Sequence, residues 1–279
     1  KLQTLRRPGL RAIEASFVMA LLSACGGSLT ENEDQGSSQP DTDSDSDGAD
    51  SAPAGEMGYV IDGYVSGARV FRDTNGNNRF DSGELFSITD ENGAFELLEE
   101  AQSIDIVVDS NGGNAIDTAT GLPLTLTMAA PGSYSVITPI TTLIAEIAGK
   151  GYSTAAAEQI IANTFQLSNS IDYSTFDPFG NSSAPQSAIA EDYQVLAMKV
   201  ANILMASDGN FQSNSVAAYT DSIGRFADLL IAKDNLSQTV DLTDVIQLRQ
   251  ILPDADNALL TNLLATNDII TYADLLDDQ

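Results

Sequence analysis

Between Asp73 and Glu84 the chain reads Asp73-Thr74-Asn75-Gly76-Asn77-Asn78-Arg79-Phe80-Asp81-Ser82-Gly83-Glu84, with oxygen-bearing side chains at loop positions 1, 3, 5, 9 and 12. Calcium takes about six to eight hard oxygens at short range, and this alternation wraps side chains around one point while a backbone carbonyl serves at position 7. The expected ligands are therefore Asp73, Asn75, Asn77, Asp81 and Glu84, with Arg79 offering its carbonyl and keeping its cation off the metal. Phe80 fills the apolar slot at position 8. Clusters of Asp, Asn and Gly also build plain polar hairpin loops, but here the oxygen positions and the apolar slot match a metal loop together. With Asp73, Asp81 and Glu84 as its anions, the loop is expected to bind calcium weakly, with Kd about 10⁻⁴ to 10⁻³ M. Asp90 is close enough in sequence to add an outer ligand, although Thr89-Asp90-Glu91-Asn92-Gly93 is sufficiently explained as a turn.

The remaining composition removes most other chemistry. The chain has no histidine, no tryptophan and one cysteine among 279 residues. Serine–histidine triads and conventional zinc sites are thereby excluded. No disulfide can close within one chain. Against 12 basic residues stand 40 acidic ones, for a net charge of −28. So acidic a surface repels nucleic-acid phosphates and favours divalent cations, so nucleic acid is not an expected partner. A hydrolase working with two carboxylates needs no histidine, and Glu146, Glu158, Glu191 and Asp192 are available acids on expected helices. On a very acidic protein these read first as solvated helix faces. Lys150, Lys199 and Lys233 lie near helix ends or on helix faces, and none follows a serine at S-x-x-K spacing.

Two kinds of element must hold the loop. From 56 to 137 the sequence predicts short strands at Tyr59–Tyr64, Ala68–Arg72, Leu85–Ile88, Ala94–Leu98, Ile104–Val108, Leu122–Met128 and Tyr134–Ile137, divided by glycine-bearing turns. Several alternate apolar with polar, which predicts a small antiparallel β-sandwich. At Thr138-Pro139 the period changes. A hydroxyl cap followed by proline opens a helix with Ile140, Leu143, Ile144 and Ile147 on one face, closed by Gly149 and Gly151. Further helices are expected from Ser153, from about 187 to 206, and near 214–233, 243–252, 255–265 and 268–276. The expected fold class is α+β in separate domains, a sandwich over 56–137 and a helical domain over 138–279.

The N-terminal part carries a different signal. Lys1, Arg6, Arg7 and Arg11 precede an apolar run from Ala15 to Ala24 that ends at Cys25. This is the order of a bacterial export signal over residues 1–24. The stretch Leu22-Ser23-Ala24-Cys25 resembles a lipoprotein lipobox, which implies lipidation of Cys25, and Gly26 in place of an aspartate implies the outer membrane. Residues 25–55 read as a lipidated start and a disordered acidic linker, because Ser28 to Gly55 holds no basic residue and little apolar content. The Asp41–Asp50 ladder reads as a solvated spacer rather than a metal loop.

The run GYVIDGYVSGARVFRDTNGNNRFDSGELFSITDENGAFEL resembles the calcium-binding B-type repeats of bacterial surface adhesins, and more loosely the carboxypeptidase-regulatory-like sandwiches. It departs from an EF-hand at position 6, where Asn78 replaces glycine, and its flanks are strand-like. Fewer residues separate Glu84 from Thr89 than in those repeats, where another strand is usual. Downstream, GGNAIDTATGLPL and VITPITTLIAEI are similar to modules of large exported bacterial proteins of marine type. The combined expectation is a calcium-stabilised surface lipoprotein, not an enzyme, with a structural, adhesive or assembly role. Its partners would be the membrane, through the anchor, and a protein or glycan at the surface. A carboxylate-dependent polysaccharide hydrolase and a periplasmic calcium buffer are the competing readings.

Overall fold

The computed structural model describes residues 55–98, 103–180, 187–210 and 216–269. The signal-like stretch, Cys25 and the acidic linker up to residue 54 lie outside the described residues, as does most of the helix expected at 268–276. Strands come first: β1 (Gly55–Val60), β2 (Val65–Ser66), β3 (Arg69–Arg72), β4 (Phe86–Ile88), β5 (Ala94–Leu98), β6 (Ile106–Asp109), β7 (Ile116–Asp117), β8 (Met128–Ala130) and β9 (Val136–Ile137). Helices follow: α1 (Pro139–Gly149), α2 (Thr154–Phe165), α3 (Ala188–Asn210), α4 (Val216–Asn235), α5 (Val245–Ile251) and α6 (Asn257–Ile269). A β-rich region followed by a helical one is thus the architecture.

One sheet runs β4-β3-β6-β8, with all pairs antiparallel. Its register aligns Phe86, Phe71, Val107 and Ala129 across one face, while Val70, Val108 and Met128 occupy the other. Both faces of β3 and β6 are buried, which explains the consecutive apolar residues Val70-Phe71 and Ile106-Val107-Val108. A second sheet runs β5-β1-β9, and its β1–β9 pair is parallel rather than antiparallel. Gly58 permits that pairing, since a Cβ there would sit 2.5 Å from the Ser135 carbonyl oxygen.

Two expected strands end elsewhere. Tyr59–Tyr64 stops at Val60 because Asp62-Gly63 turns the chain, with Gly63 at φ 72° and Ile61 bridging Tyr64. Leu122–Met128 becomes a strand only from Met128. Leu124 and Leu126 are buried in alternation, but before it meets β6 that stretch forms a single bridge, Pro123 to Ile116 of β7, rather than a continuous strand. The short strand β7 had no counterpart among the expected elements.

Helix α1 joins the two regions. Thr138 Oγ1 accepts the Thr141 amide and Thr141 Oγ1 accepts the Thr138 amide, a reciprocal cap with Pro139 in the first turn. Residues Pro139 to Ala145 and Ile147 are buried. The apolar core continues through α1, from Val60, Phe95 and Ile137 on the β side to Ile161, Val200, Phe226 and Leu263 among the helices. Among the described residues, no helix is long and apolar enough to cross a membrane.

Candidate metal centre

The loop from Asp73 to Glu84 connects β3 to β4, so strands flank it on both sides. Its base is closed by the Arg72 amide donating to the Leu85 carbonyl at 3.0 Å. Asp73 and Glu84, the first and last expected ligands, are 6% and 8% exposed. Asp73 Oδ1 accepts the amides of Gly76 and Asn77, and its Oδ2 accepts that of Asn78 at 2.7 Å. Glu84 Oε1 accepts the Thr74 amide and hydroxyl, and Oε2 accepts the Asp81 amide at 2.9 Å. The two acidic ends thereby stitch the loop backbone into a closed turn.

Asn75 and Asn77 each accept the amide two residues ahead, from Asn77 at 3.0 Å and Arg79 at 2.8 Å. Their Nδ2 atoms both donate to Asp81 Oδ2 at 2.7 Å. Positions 3, 5 and 9 therefore meet at one point, as the alternation requires. The amide of Asn75, then that of Asn77, holds the Asp81 carboxyl below the usual carboxylate range. Asn78 takes φ 56°, the left-handed conformation that position 6 demands and that asparagine adopts at lower cost than most residues. The Arg79 side chain is exposed.

The donor chemistry fits a hard cation. The side chains at positions 1, 3, 5, 9 and 12 all carry oxygen, and their hydrogen bonds stay within 73–84. Asp73, Asn75, Asn77, Asp81 and Glu84, with the Arg79 carbonyl, would hold calcium there, and the ion would supply charge neutralisation and cross-bracing. The fit needs one adjustment: Asn75 and Asn77 face Asp81 through nitrogen, so both amides must turn to offer oxygen. Among the described residues, no three or more Asp, Glu, Cys or His side chains gather in a ready metal cluster.

Around Phe80, the apolar slot read from the sequence, the structure gathers residues that sequence reasoning did not single out: Phe71, Phe86, Arg69, Asp105 and Asp109. Phe80 packs edge-on against Phe71, with centroids 5.7 Å apart, and against Phe86 at 5.1 Å. The Arg69 guanidinium lies 4.2 Å from the Phe80 ring centroid and is paired with Asp109. The Asp73 amide donates to the Asp105 carbonyl at 3.1 Å. Partial desolvation, then the Asp73 charge, raises the Asp105 carboxyl to about 6. The contacts to Asp105 and Asp109 depend on the β3–β6 register, which no local pattern encodes. Asp90 is a turn residue, its Oδ1 accepting the amides of Asn92 and Ala94.

The acids on the helices lie in different surroundings. Glu146 lies 3.8 Å from Lys150, which pairs with Asp228 at 2.9 Å. Burial, outweighing Lys150, raises the Glu146 carboxyl. Glu158 accepts the hydroxyl of buried Tyr134. Asp192 is exposed and Glu191 half-buried on α3. A different acidic neighbourhood appears at the β1–β2 turn, where burial and then Asp117 push Asp62 up to about 7. Asp117 itself accepts the Ala119 amide and the Thr120 hydroxyl.

No family model, no curated protein and no solved structure matches the chain.

Proposed function

We propose that the chain is a calcium-stabilised, lipid-anchored protein of the bacterial outer membrane, without enzymatic activity, that has a structural, adhesive or assembly role. The loop carries this reading: five oxygen side chains at the metal-binding spacing, positions 3, 5 and 9 converging, and Asn78 in the left-handed conformation at position 6. The anchor rests on Cys25 in its lipobox-like setting and on the acidic linker that would hold the folded part clear of the lipid. The partner would be a protein or glycan at the cell surface. Against a hydrolase stand the engagement of Glu146 with Lys150 and of Glu158 with Tyr134.

Calcium titration of the full chain tests the reading. Stabilisation follows RT ln(1 + [Ca²⁺]/Kd), so about 100 Kd of calcium should add about 2.7 kcal/mol. The melting midpoint should rise, and Asp73→Ala with Glu84→Ala should erase the rise while Asp90→Ala leaves most of it. An equal response in the double variant would remove the loop as the site. Incorporation of labelled fatty acid in cells, lost in Cys25→Ser, is the matching test of the anchor; equal labelling of both forms would refute it.

A further inference from the structure

We propose that Phe80 sets the calcium affinity of the loop, although its ring offers the ion no ligand, by docking the loop on the outer face of the four-stranded sheet. The inference rests on the calcium reading above and names what regulates that same site.

Phe80 lies between Arg79 and Asp81, the expected ligands at positions 7 and 9, so its backbone cannot move without moving both. Its ring is held from three sides. Phe71 meets it at 5.7 Å and Phe86 at 5.1 Å, both close to perpendicular, the edge-to-face arrangement that aromatic quadrupoles favour. The Arg69 guanidinium stands 4.2 Å from the ring centroid, and Asp109 fixes that guanidinium in place.

Phe71 and Val107 lie side by side in register on this face and are fully buried. They form one small cluster with Ala129 of β8 and Ala145 of α1, and Phe80 packs against it. The metal loop thus closes one end of a face whose other end is closed by the first helix. Phe86, at the loop end of the row, remains 53% exposed.

Linkage follows from this arrangement. A docked Phe80 has already ordered the two ligand positions beside it, so calcium binds a loop whose competent form is well populated. Undocked, that form is a minor population, and the apparent Kd rises by the inverse of its fraction. The coupling is reciprocal: bound calcium must hold Phe80 on the sheet as strongly as docking favours calcium. Couplings of this kind commonly span about 5- to 150-fold in affinity.

The experiment is calcium titration calorimetry on the full chain, with wild type, Phe80→Ala, Phe80→Leu, Phe86→Ala and the Asp73→Ala/Glu84→Ala double variant. Phe80→Ala is expected to raise the calcium Kd by about fivefold or more, with Phe80→Leu recovering most of the loss. Phe86→Ala alters a half-exposed side chain, so it should fold even if Phe80→Ala does not, and it should raise Kd in the same direction by a smaller factor. Melting of each variant in excess chelator separates roles: a merely structural Phe80 lowers the chelated midpoint and leaves Kd unchanged. Unchanged Kd in the folded variants, with wild type binding calcium, overturns the role of Phe80 and leaves the calcium reading intact. Wild type titrating no differently from the double variant overturns the calcium reading, and this inference with it.

Discussion

At position 6 of the loop, Asn78 holds φ 56°, a conformation costing a β-branched residue about 1–3 kcal/mol. Asn78→Val should therefore lower the melting midpoint in chelator, by about 2–4 °C per kcal/mol lost for a protein of this size. Asn78→Gly should stay close to wild type, and a Val variant that melts with it would show that the left-handed turn is not held in solution. The convergence of Asn75, Asn77 and Asp81 and the left-handed Asn78 were legible in the sequence because loop geometry is local: what matters is which residue follows which. Asp105, Arg69 and Asp109 were not, because they come to the loop through the pairing of β3 with β6. The same holds for Asp62, which reaches Asp117 through a turn that the expected strand concealed. With its folded value raised to about 7, Asp62 keeps a proton that the unfolded chain releases from about pH 4 upward. Its contribution is full at low pH and is lost as pH rises through 7, where the fold must hold a poorly hydrated anion beside another. Asp62→Asn should thus melt above wild type at pH 8, and the gap should narrow at pH 5. A gap independent of pH would show that Asp62 ionises normally.

Among the elements, the junction of β8 with α1 shows how a helix guards a sheet edge. Among the described residues β8 pairs with β6 alone, leaving the outward groups of Ala129 to find partners. Thr142 Oγ1 accepts the Ala129 amide at 3.0 Å, and Thr141 Oγ1 donates to the Ala129 carbonyl at 2.9 Å. An exposed edge invites pairing with another chain, and covering it with a helix is a recognised solution. Thr142→Val keeps the shape but strands the buried Ala129 amide, at a cost of about 1–3 kcal/mol. A midpoint within error of wild type would mean the amide finds another partner. The start of α1 was readable from Thr138-Pro139, since capping is decided within one turn. The strand before it, β9, was legible too, but the extent of β8 was not, because Leu122 to Leu126 carries strand-like alternation set by core burial and meets β7 through a single bridge, Pro123 to Ile116.

At the scale of the molecule, a β-rich half and a helical half share one apolar core through α1, whose buried residues face strands and helices alike. Cooperative unfolding follows where burial is shared, because loosening either half exposes apolar surface of the other. The sequence marked the boundary at Thr138 through a change of period, but period says nothing of what crosses it. The consequence for calcium is specific. Its expected ligands all lie before β4, yet the loop bears through Phe80 on the cluster that includes Ala145 of α1. Melting followed by the helical circular dichroism signal should therefore show a single transition whose midpoint rises with calcium, in step with the tyrosine signal at longer wavelength. Two transitions, with calcium moving only the one that lacks helical signal, would show that the halves unfold independently and that the shared core does not couple them.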